Sequence, residues 1–177
     1  DGGGDEVAAG GEGASLAIIT GYKLYPSNTR VGAVFVWTPD DVNNLAGAWS
    51  KTQTLQGSTA TANTYFGAVV AMSPDASLIA AGSIGAGVFL FYRPGGVGSF
   101  SEVTRLNAPG ITSGDEFKYF SDAGVAVGNN GLVAVANNRY KKVHIFAPTT
   151  PGVLNGAYTH AQQLGPVDPW PYYAQDV

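Results

Sequence analysis

The chain of 177 residues contains no cysteine, which excludes a disulfide framework and any thiolate metal site. Charge is sparse as well, at 12% of residues with a net of −4. The nine Lys and Arg stand singly except for Lys141-Lys142, so no basic stripe exists to neutralise a phosphate backbone, and nucleic acid is not an expected partner. No apolar run approaches the roughly 20 residues of a membrane-spanning helix, so no membrane span is expected. The opening DGGGDEVAAG is acidic and Gly-rich, unlike the basic segment and apolar core of a signal peptide. No Asn-x-Ser/Thr sequon occurs, which leaves only loops such as STATANT (from Ser58) and APTTPG (from Ala147) for O-linked sugar. A first residue of Asp rather than Met, with low charge and abundant Thr, Tyr, Asn and Gly, leads us to expect a processed extracellular or cell-surface protein.

What is present points to strands. Gly numbers 25 of 177, and Val, Ala, Thr, Tyr and Phe are plentiful, a composition of short strands and tight turns. The expected class is all-β, in a single domain covering 1–177. The stretch FGAVVAMSPDASLIAAGSIGAGVFLFYR, residues 66–93, holds three strand-length apolar runs separated by SPD and by a Gly-rich turn.

That stretch recurs. GAVFVWTPDDVNNLAGAWSKTQTL from Gly32, AGVFLFYRPGGVGSFSEVTRL from Ala86 and KKVHIFAPTTPGVLNGAYTHAQQL from Lys141 align as strand, Pro- and Gly-containing loop, and aromatic-led strand ending in Leu. Val34, Val88 and Val143 correspond, as do Phe35, Phe89 and His144, and Trp37, Phe91 and Phe146. Trp49, Phe100 and Tyr158 open the last strand, and Leu55, Leu106 and Leu164 close it. Upstream, VAAGGEGASLAIITG from Val7, VAMSPDASLIAAG from Val70 and VAVGNNGLVAVAN from Val125 each read as strand, tight turn, strand. The unit is four antiparallel strands, with repeats of about 1–64, 65–118 and 119–171 and a tail, 172–177, that begins a further strand.

Residue size grades along the unit. In the middle repeat the first two strands are rich in Gly and Ala, the third is bulky on both faces, and the fourth alternates polar with apolar. Such a gradient suits sheets converging on an axis, small residues inside and the fourth strand at the rim, as in a β-propeller blade. A three-sided β-prism is the alternative for three four-stranded units.

The pattern YFGAVVAMSPDASLIAAGS…GVFLFYR…SFSEVTRL resembles the FG-GAP repeat of integrin α-chain-type β-propellers. Phe66-Gly67 stands at the FG position in the middle copy; the third copy has Phe120-Ser121, and the first begins at GDEVAA. The resemblance implies propeller blades used extracellularly for adhesion and protein contact. It also implies, in many members, an Asp-x-Asp-x-Asp-Gly calcium loop between the first two strands. The loops here, GGEG, SPDAS and GNNG, offer too few carboxylates, so Glu12, Asp75 and Asn129 read as turn residues and no metal or other cofactor is expected.

Catalytic patterns are thin. Ala81–Gly85, AGSIG, loosely matches a nucleophile elbow, but a strand rather than a helix follows, making Ser83 a turn serine. His144 and His160 lack metal-ligand spacing, and His144, in the place of Phe35 and Phe89, reads as a packed neutral ring. The carboxylates Asp40, Asp41, Asp115, Glu116, Asp122 and Asp168 form no recognisable pair. The expected function is therefore a non-catalytic structural or adhesive module that contacts copies of itself. Its terminal segments carry the candidate assembly residues: Trp170, Tyr172, Tyr173 and Val177 at one end and Val7 at the other. A carbohydrate-binding module, or a piece of a larger propeller, is the alternative. A threefold lectin should repeat one polar set in each unit, and the loops after the third strands differ.

Overall fold

A computed structural model describes residues 4–13, 17–22, 32–59, 64–83, 86–106, 124–137 and 142–165. Among them lie twelve strands: β1 Gly4–Gly10, β2 Ala17–Tyr22, β3 Ala33–Pro39, β4 Trp49–Leu55, β5 Val69–Met72, β6 Leu78–Ser83, β7 Gly87–Tyr92, β8 Ser101–Leu106, β9 Val125–Val127, β10 Val133–Asn137, β11 Lys142–Pro148 and β12 Tyr158–Leu164. One 3-10 turn, Pro94–Gly96, joins β7 to β8. The protein is all-β. The strands form three four-stranded sheets in simple sequence order, β1-β2-β3-β4, β5-β6-β7-β8 and β9-β10-β11-β12, and every pair within them is antiparallel.

The period-2 alternation of each strand decides which sheet it packs against. On β6, Ile79 and Ala81 enter one apolar cluster while Leu78 and Ala80 enter a second; on β7, Phe89 and Phe91 join the first and Val88 and Leu90 the second. The first cluster is completed by Val34 and Val36 of β3 and the second by Val133, Val135 and Phe146, so sheet 2 lies between sheets 1 and 3 and is buried on both faces. The apolar runs on β6 and β7 have this cause. Burial of one such side chain, Phe89 for example, contributes about 1.5–3 kcal/mol.

The small residues also have a structural cause. The first strands of the three sheets approach one another, β1 against β5 and β5 against β9. At the turn after β1, Gly11 N–H donates to the Pro74 carbonyl of the turn after β5 at 2.7 Å. A Cβ on Gly10 would collide with the Ser73 carbonyl, so only glycine allows that approach. The fourth strands lie outermost and are the most exposed; on β4, Ser50, Lys51, Thr52 and Thr54 face solvent.

One repeated feature is absent from any pattern in the sequence. Each third–fourth strand pair carries a β-bulge at the equivalent place: between Val36 and Trp37, between Leu90 and Phe91, and between Ile145 and Phe146. A bulge bends the strand and increases its twist. The extra residues, Thr52, Val103 and Ala161, correspond in all three sheets.

Of the three third strands, only β7 is buried on both faces. Phe35 and Trp37 on β3, and Val143 and Ile145 on β11, are half-buried, because among the described residues sheets 1 and 3 each pack against one neighbour rather than two.

Candidate interaction surfaces

The residues facing sheet 2 and those facing away follow a rule set by the repeat. Val34 and Val36 of β3 point forward, towards the next sheet; Val88 and Leu90 of β7 do the same towards sheet 3. Phe89 and Phe91 point backward into the cluster with sheet 1, and Phe146 points backward into the cluster with sheet 2. The leading aromatics of the fourth strands in sheets 2 and 3 also pack backward: Phe100 in the first cluster, Tyr158 against the second. Burial pushes the Tyr158 phenol up to about 12.

The closing leucines report how each forward face is covered. Leu55 is 4% exposed under sheet 2 and Leu106 is 2% exposed under sheet 3, whereas Leu164, in the same place on β12, is 46% exposed. On the first sheet Val7 is 63% exposed, opposite Thr20 in the β1–β2 ladder. Trp170, Tyr172, Tyr173 and Val177 lie outside the described residues.

Sheets 1 and 2 are joined at the rim by polar contacts that sequence reading did not find. Gln53 on β4 donates through Nε2 to the Phe100 carbonyl and accepts from Phe100 N–H through Oε1, both at 2.8 Å. Glu102 accepts from the Ser58 backbone N–H and hydroxyl, each at 2.7 Å. Arg93 Nε donates to the Ala76 carbonyl at 2.8 Å, and its guanidinium carbon lies 4.5 Å from the Phe100 ring centre. Burial lowers the Arg93 pKa and the charge of Asp75 raises it, leaving it below the ordinary value. A cleft of about 440 Å³ opens here between Thr38, Pro39, Val42, Thr52 and Gln53 on one side and Arg93, Gly98 and Ser99 on the other. The Gln53 amide and the Arg93 Nε in its wall already serve backbone groups.

The remaining candidates serve local structure. Ser83 is buried and its hydroxyl donates to the Thr64 carbonyl at 2.8 Å, the role of a turn serine. Asp75 accepts from the Ser73 and Ser77 hydroxyls and from Ser77 N–H, which organises the β5–β6 turn. Burial raises its pKa, but these hydrogen bonds outweigh burial and the carboxyl lies below its usual value. Asp41 accepts from Asn43 N–H in an exposed loop beside Asp40, and Glu12 and Asn129 are exposed turn residues. Asp115, Glu116, Asp122 and Asp168 lie outside the described residues.

His144 is buried, as a packed ring should be, but it is not isolated: its Nδ1 stands 3.1 Å from His160 Nε2. His160 also meets Phe146 edge-on, with ring centres 5.3 Å apart. The bulge on β12, which sets His160 opposite Phe146, brings the pair together. Compared with models of known families and with curated proteins, the chain matches none.

Proposed function

We propose that this chain is a non-catalytic structural or adhesive repeat protein of the cell exterior, built of propeller-blade-like sheets and assembling head to tail with copies of itself. The observation that carries the reading is Leu164, 46% exposed where Leu55 and Leu106 are covered by the following sheet. A face that is an interface twice within the chain is left half-covered the third time. The bland reading, that Leu164 is simply an exposed residue of an end strand, is weakened by Val143 and Ile145, which share the same incomplete burial.

Converging first strands and outermost fourth strands support a blade arrangement. Burial of sheet 2 on both faces favours it over a prism, whose sides enclose one common interior. Propellers close with about four to eight blades, so the three described sheets leave room for further blades. Head-to-tail contact supplies these as a ring or a fibre, according to the rotation between copies. Trp170, Tyr172, Tyr173 and Val177, with Val7, are the candidate contact residues in this reading. The resemblance to FG-GAP repeats and the low charge support an extracellular site of action.

Sedimentation equilibrium of the full chain across a wide concentration range tests the reading. Mass rising with concentration is the expected result, and deletion of Pro169–Val177 should reduce it. A full-length chain that stays monomeric throughout overturns the proposal.

A further inference from the structure

Resting on the self-assembly reading, the geometry points to a specific register for it: the forward face of sheet 3 seats on the backward face of sheet 1 of a second copy, with Gln162 clamping the backbone of that copy's Trp49. The template is inside the chain. Gln53 on β4 reaches across to sheet 2 and bonds both the N–H and the C=O of Phe100. Its counterpart on β12, two residues before the closing leucine, is Gln162, which is exposed. The counterpart of Phe100, six residues before the closing leucine of its own sheet, is Trp49. Sheet 2 has Thr104 at the glutamine position, so only the first and third sheets carry the clamp.

Trp49 presents its backbone in the right direction. Asp40 N–H donates to the Ala48 carbonyl at 3.0 Å. In an antiparallel ladder the adjacent pair, Pro39 and Trp49, is then the non-hydrogen-bonded kind. The N–H and C=O of Trp49 therefore point off the edge of the sheet, where an incoming amide can accept from one and donate to the other. The apolar parts match in the same register. Val143 and Ile145 are the counterparts of Val34 and Val36, which pack under Phe89 and Phe91, and Phe35 and Trp37 are the counterparts of those two rings. A second copy is the occupant these observations select, because it carries both halves of an apolar packing the chain uses twice and of a clamp it uses once. The contact is heterologous, so each copy offers one of each face.

The absence of cysteine makes the test direct. Ser50 and Ser101, exposed neighbours of Trp49 and Phe100, accept cysteine without entering either core. A chain carrying Gln162→Cys and Ser50→Cys, treated with a short bismaleimide, should give a ladder of covalent multimers. Either substitution alone should give none. Gln53→Cys with Ser101→Cys, the pair within one chain, should close inside the monomer and serves as the control. Separately, Gln162→Ala should weaken association about tenfold through the loss of two hydrogen bonds. Its urea midpoint and the association of a Gln163→Ala control should stay unchanged. A wild-type chain that associates while the double-cysteine chain gives no ladder, or whose association is indifferent to Gln162→Ala, overturns the register and leaves self-assembly standing. Cross-linked dimers from a single-cysteine chain would mean a two-fold contact and overturn the register too. A wild-type chain that never associates overturns the underlying reading.

Discussion

At the scale of the residue, short polar side chains hold loops and rims that apolar packing cannot order. Gln53 satisfies a backbone donor and acceptor belonging to another sheet. Gln53→Ala should therefore lower stability by about 2–3 kcal/mol in urea unfolding, more than an exposed substitution such as Thr54→Ala, because it leaves the Phe100 amide groups without partners. Asp75 makes a pH prediction. Its carboxyl lies below its unfolded value, so its contribution is present above about pH 4 and is lost as pH falls through the folded value. Asp75→Asn should thus be less stable than the parent at pH 7, with the difference shrinking below pH 4; melting curves across that range check it. Glutamine and aspartate at these positions were legible as rim and turn residues, but their partners were not, since Gln53 and Phe100 lie far apart along the chain.

At the scale of the element, the strands and their order were readable from alternation and repeat, whereas the bulges were not. A bulge is a matter of register between two strands, and no residue type marks Thr52, Val103 or Ala161 as the extra one. Its effect is large because one step of register exchanges the two faces of a strand. Removing Ala161 takes out only the residue that has no partner, so His160 should stay opposite Phe146 and Tyr158 opposite Pro148, with the bend of the strand lost. Spectrophotometric titration of the phenols would show it: the Tyr158 group, held at about 12 by burial, should stay well above 10. The reading of His144 as a packed ring was right about burial and missed the second histidine for the same reason. A glycine supplies the companion prediction. Gly32 has φ +78° and a Cβ there would strike the Phe66 backbone, so Gly32→Ala should cost at least about 2 kcal/mol in urea unfolding.

At the scale of the whole molecule, equivalent residues part company according to what covers them. Leu90 is fully buried between sheets 2 and 3, while Ile145, its counterpart on β11, is half-buried on the outward face. Leu90→Lys should abolish cooperative folding, since it buries an unpaired charge. Ile145→Lys should keep the melting temperature within a few degrees and abolish association, seen as a monomeric mass in sedimentation at concentrations where the parent assembles. If both variants unfold, the outward face of sheet 3 belongs to the core of the single chain and not to a contact between copies.

The sequence by itself determined the strand class, the threefold repeat and the positions that correspond among the copies, because alternation, turn glycines and aromatic spacing act over a few residues. Only the tertiary structure decided which copy of each repeated residue is covered: Leu55 and Leu164 are the same residue in the same local pattern, and their exposure differs because a sheet follows one and, among the described residues, none follows the other. The bulge register, the Gln53 clamp and the histidine pair belong to the same level, since each depends on the distance between strands or sheets rather than on anything encoded along one of them.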